Sequence, residues 1–92
     1  MIPNKVKIAG QIINVLFDNR LASGEDRYGV CNCIKGEITI DSTQPIEHQE
    51  STFIHEIIEK INADNELELE HNKITCLATQ LHQVLKDNKI SF

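Results

Sequence analysis

Near Ser42 the apolar residues of this chain change their period from about two to between three and four, and that switch orders its elements. Before it, Lys5-Val6-Lys7-Ile8 alternates polar with apolar, Ala9-Gly10 offers a tight turn, and Gln11 to Phe17 follows. This pattern predicts a β-hairpin. The polar stretch from Asp18 to Arg27, with Ser23-Gly24, is expected as a loop. Tyr28 to Ile34 and Glu37 to Ile40 predict a second hairpin turning at Lys35-Gly36. In its last strand Ile38 and Ile40 face one way and Glu37, Thr39 and Asp41 the other, as in a half-buried strand.

After the switch, Asp41-Ser42-Thr43-Gln44-Pro45 reads as a strand-to-helix junction, with Pro45 in the first turn and Ser42 or Thr43 as cap. Ile46, Phe53, Ile54, Ile57, Ile58 and Ile61 recur at helical spacing to about Ala63, with Ile54, Ile58 and Ile61 centring the stripe. Asn62 to Glu70 is polar and turn-prone. A second helix is expected from Asn72 to Asp87, on the stripe Ile74, Leu77, Ala78, Leu81, Val84 and Leu85. The expected fold is therefore α+β, one domain over residues 1–92. A small antiparallel sheet of two β-hairpins, about four strands, fills the strand-rich part (1–41), and two packed α-helices follow (45–88).

Charge narrows the function classes. The net charge is −5, and the acidic residues concentrate between Glu47 and Glu70. Lys5, Lys7, Arg20, Arg27 and Lys35 are scattered and form no basic run, which argues against nucleic acid as a partner. No apolar run approaches the ~20 residues of a membrane span. Met-Ile-Pro-Asn-Lys lacks the apolar core of a secretory signal, and the cysteine count of three is odd. A cytoplasmic protein with reduced thiols is expected. Cys31 and Cys33 share one side of a strand and are expected to pack in the sheet face, since no second Cys/His pair completes a metal site. Cys76 falls on the second helix. Neither a glycine-rich phosphate loop nor a Gly-x-Ser-x-Gly turn is present.

Phe53-Ile54-His55-Glu56-Ile57-Ile58-Glu59 carries the chemistry. It is the zinc-peptidase pattern H-E-x-x-H with Glu in place of the last His. His55 and Glu59, at i and i+4, project side by side and can share one cation, while Glu56 points beside it, where a general base belongs. A catalytic zinc takes three protein ligands, and His71 at the entry to the second helix is the candidate third, with Glu68 and Glu70 as alternatives. Reaching Glu59 from His71 calls for the first helix to end near Asn62. His48, Thr52, His55 and Glu59 form a polar row on that helix. Within it His48 fits a surface position better than a ligand, and His82 reads as a surface or boundary residue. Without metal chemistry the same residues describe a solvated flank, with Glu56 and Glu59 exposed and Lys60 paired to Glu56.

The text from Ile38-Thr39-Ile40-Asp41 through Thr52-Phe53-Ile54-His55-Glu56-Ile57-Ile58-Glu59 resembles small phage- or prophage-type zincin-like metallopeptidase proteins. Leu69-Glu70-His71 and Leu81-His82-Gln83-Val84-Leu85-Lys86-Asp87-Asn88 continue the match. These proteins relate loosely to the minimal zincin core of the ImmA/IrrE and SprT-like families. The resemblance implies a sheet, an active-site helix and a packing helix, with His55, Glu59 and the His71 region as ligands to Zn2+ and Glu56 as general base. Glu59 stands where better-known families have His, and His71 where many have Glu. Two functions follow as expectations. One is a metal-dependent hydrolase acting on a protein or peptide, with the strand Glu37 to Asp41 as the edge of its cleft. The other is a non-catalytic accessory protein that keeps the metal and binds a host protein.

Overall fold

The computed structural model describes residues 2–19 and 28–92. Strands β1 (Lys5–Ile8), β2 (Gln11–Asp18), β3 (Gly29–Asn32) and β4 (Glu37–Asp41) come first, then helices α1 (Ile46–Asn65) and α2 (His71–Asp87). Both expected hairpins form, and each is antiparallel: β1 with β2, and β3 with β4. The strand order is β1-β2-β4-β3, so β2 and β4 meet as a parallel pair and the sheet as a whole is mixed. In the first hairpin Ala9 (φ 50) and Gly10 (φ 82) both adopt the left-handed conformation that a two-residue turn of matching twist requires. Most of the expected Asp18–Arg27 loop, including Arg20 and Arg27, lies outside the described residues, and β2 itself runs on through Asp18.

This topology overturns one expectation. β4 is hydrogen-bonded on both sides, so it cannot be the edge of a cleft; β3 takes the outer position.

Alternation places Ile8, Ile13, Val15, Ile38 and Ile40 on one sheet face, where they form the buried core, with Phe53 and Ile57 of α1 packed over them. The α1 residues that are themselves fully buried are Glu56 and Lys60, whereas Ile54 and Ile58 are half-buried and Ile61 is 39% exposed. Phe53 and Ile57, on one side of the stripe read from the sequence, meet the sheet, whereas its expected centre at Ile54, Ile58 and Ile61 does not belong to that packing. A helix between a sheet and a second helix needs two covered sides, and the single-stripe reading resolves only one. α2 packs chiefly on α1, and its buried residues are Ile74 and Ala78.

The junction before α1 also differs from expectation. Pro45 is the N-cap itself, and no side chain caps the helix. Thr43 is occupied elsewhere: its N–H and hydroxyl both donate to Asp41 Oδ1, at 2.9 and 2.8 Å. Among the described residues no helix is long and apolar enough to cross a membrane.

Candidate metal centre

The turn between the helices decides the site. α1 runs to Asn65, three residues past the expected end, which leaves only residues 66–70 to reverse the chain. Two features make so short a reversal possible. Glu66 and Glu68 take left-handed φ values of 51° and 59°, and the Asn62 side chain clamps Leu69. That clamp is double: Leu69 N–H donates to Asn62 Oδ1 at 3.0 Å, and Asn62 Nδ2 donates to the Leu69 carbonyl at 3.3 Å. His71 thus opens α2 beside the last turns of α1.

There it meets the expected pair. Glu59 Oε2 lies 3.4 Å from His55 Nε2 and 3.4 Å from His71 Nδ1. The His55 and His71 rings stand edge to face, with centroids 4.8 Å apart. One ligand atom from each of the three residues falls within 4.8 Å of the others, so the group could hold a metal ion. Ligand atoms about 2.1 Å from a tetrahedral zinc sit about 3.4 Å from one another, the spacing found on both Glu59 edges. Among the described residues this is the one such group: His48, Glu68, Glu70 and His82 are outside it. His82 instead bonds Glu50 Oε1 at 2.8 Å, in company with Lys86 Nζ at 2.9 Å.

Thr75 and burial set the surroundings of the His55 ring. Thr75 Oγ1 donates to the His71 carbonyl at 3.1 Å and stands 3.4 Å from His55 Nδ1. His55 Nε2 faces the Glu59 carboxylate across 3.4 Å, a gap that a shared proton or a metal ion can fill. Burial pushes His55 below its ordinary pKa, partly offset by Glu59. The neutral ring is the metal-binding form. Thr75 was not legible as part of the site, although it stands one helical turn after His71 and so on the same helix face.

These groups border a cavity of about 750 Å³ between β3, α1 and α2, lined also by Glu56, Cys31, Cys33 and Thr75. His55 is 12% exposed and His71 is 76% exposed, so the group spans the cavity from wall to mouth. Glu56 is only 6% exposed, which excludes the solvated-flank reading for this residue. Lys60 pairs with Asp64 at 2.9 Å, and that bond raises its pKa. Gly29 lets α1 come this close to β3: a Cβ there would stand 2.5 Å from Thr52 Cγ2 and 3.0 Å from Glu56 Oε2.

No family model matches the chain, and neither a curated protein nor a solved structure does.

Proposed function

We propose that this protein is a zinc-dependent hydrolase of the metallopeptidase type, with His55, Glu59 and His71 as the metal ligands and Glu56 as the general base. The observation that carries the reading is the convergence of His55 Nε2 and His71 Nδ1 on one Glu59 oxygen, each at 3.4 Å. A nitrogen, nitrogen, oxygen set suits zinc. When bound, zinc supplies a Lewis acid that polarises a carbonyl and lowers the pKa of water. The chain's own residues do the rest. Glu56, in the wall of the same cavity, takes a proton from the attacking water and delivers it to the leaving amine. Thr75 fixes the ring of His55. β3 is the outermost strand on its side of the sheet among the described residues and borders the cavity, where an extended peptide can add as a further strand.

The test is metal content followed by peptide hydrolysis. Purified protein should carry close to one zinc per chain, and Glu56→Gln should keep that metal while losing hydrolysis. Undiminished hydrolysis in that variant, or full metal content in His55→Ala, sinks the reading.

One observation favours a second reading. Glu56 lies deep beneath Gly29 and Thr52, where water reaches it poorly. In that reading the protein holds the metal for structure and binds a partner protein without cleaving it. Glu56→Gln would then change neither metal content nor partner affinity.

A further inference from the structure

We propose that Cys31 and Cys33 form a reversible dithiol–disulfide couple in the wall of the site cavity, a modification site for low-molecular-weight disulfides. The inference goes beyond the hydrolase reading and needs neither metal nor catalysis. Its basis is geometric. The two sulfurs lie 3.8 Å apart, both thiols are free and half-buried, and both line the cavity that holds His55 and Glu56. Residues i and i+2 on a straight strand hold their side chains too far apart to bond. Here the chain leaves β3 at Asn32. Its carbonyl accepts from Gly36 N–H and its Oδ1 accepts from Lys35 N–H, each at 3.0 Å, and the resulting turn brings Cys33 back toward Cys31.

A metal role is not the better account. Among the described residues no His, Asp or Glu joins the pair to make a group of three. Sheet packing explains Cys31, which lies against the core, but not Cys33 beside it.

The chemistry is thiol–disulfide exchange, with glutathione disulfide or a similar compound as oxidant. Cys33 thiolate attacks one sulfur of the oxidant and releases one thiolate. Cys31 thiolate then attacks Cys33 Sγ and releases the second. Two protein thiols and one small disulfide become one protein disulfide and two small thiols. The order follows from the surroundings: burial first, then the Cys33 sulfur, pushes the Cys31 thiol up to about 12, so Cys31 is the poorer first nucleophile. Once Cys33 is a mixed disulfide, its hydrogen bond and its charge no longer add to the burial that holds Cys31 protonated. A bond of about 2.05 Å draws the two sulfurs together by nearly half their present separation. That movement reshapes the β3 wall beside Glu56. So small a ring is strained, and strained disulfides are readily reduced, which suits a switch rather than a staple.

The metal-free 92-residue chain is equilibrated in glutathione redox buffers, quenched with acid and alkylated. Exposed Cys76 serves as the internal control. Oxidation should lower alkylation from three sites to one, on Cys76, with a mass loss of two hydrogens. Cys31→Ser should instead retain a stable glutathione adduct on Cys33. Accumulation of that adduct in the native chain, or persistence of all three alkylation sites, overturns the proposal. A second readout follows the His55 imidazole resonance, which should move on oxidation and return with reductant. A ring that stays still while the disulfide forms overturns the coupling to the cavity. Loss of zinc binding or hydrolysis in other tests leaves these results untouched, so the two ideas fail separately.

Discussion

Single residues set the geometry on which the metal reading depends. His71→Ala removes the one proposed ligand that α1 does not supply, and zinc affinity should fall further than the ~10–100-fold that losing an outer hydrogen bond costs. Thr75→Val tests that outer bond directly. It keeps the shape but not the hydroxyl at 3.4 Å from His55 Nδ1, and affinity should drop within that same ~10–100-fold range, while Thr75→Ser retains it. Zinc titration by competition with a chromophoric chelator reads all three variants. Gly29→Ala makes a different point. Its methyl would meet Thr52 Cγ2 at 2.5 Å, so the melting transition should lose about 1–3 kcal/mol, as overpacking does. Thr52→Ser deletes that methyl and should recover part of the loss, while its hydroxyl keeps the bond to Gln44 Oε1 at 3.2 Å. His55, Glu59 and His71 were legible because two of them share a helical spacing and the third stands at a helix entry. Gly29 and Thr75 were not, since a close approach between elements leaves no trace in local pattern.

At the scale of elements, the legible part is what neighbours in sequence decide. The hairpins and both helices follow from periodicity and turn residues, with α2 beginning at His71 rather than Asn72. The parallel β2–β4 pairing is a contact between strands that are not consecutive, so no local rule selects it. The first hairpin turn keeps a residue its conformation disfavours. Ala9 sits at φ 50, and Ala9→Asn should stabilise the fold by about 1 kcal/mol, measurable by urea denaturation. The two helices are pinned at their far end by Glu50, which accepts from Lys86 and bonds His82. His82 first, then Lys86, holds the Glu50 carboxyl below its ordinary value of 4.5. A depressed acid contributes stability that is fully present above that value and is lost as pH falls through its folded pKa. This contribution should therefore fade as pH falls below about 4.5, and Glu50→Gln should be less stable at pH 7 with a flatter acid limb.

For the molecule as a whole, the metal question is also a stability question. The chain is small, at 92 residues, and a domain of that size buries only about two-thirds of its unfolded surface. Its last helix packs chiefly on α1, and the proposed ligands lie across that one seam: His55 and Glu59 on α1, His71 on α2. An ion bound there ties α2 to the rest of the fold, and because the unfolded chain does not hold the three groups together, binding free energy becomes folding free energy. At a free zinc concentration of 100 times Kd the gain is about 2.7 kcal/mol, which for a domain of this size raises Tm by roughly 10–20 °C. Chelation should reverse the rise, and His71→Ala should melt at one temperature with or without zinc. The acidic concentration between Glu47 and Glu70 adds a salt dependence, since it raises the local concentration of divalent cations and is screened as ionic strength increases. Thermal scans across zinc, chelator and salt therefore separate a bridging ion from diffuse attraction. A bridging ion gives a Tm rise that needs His71 and survives moderate salt, whereas diffuse attraction gives one that ignores His71 and vanishes with salt. The second pattern would remove the metal from this fold.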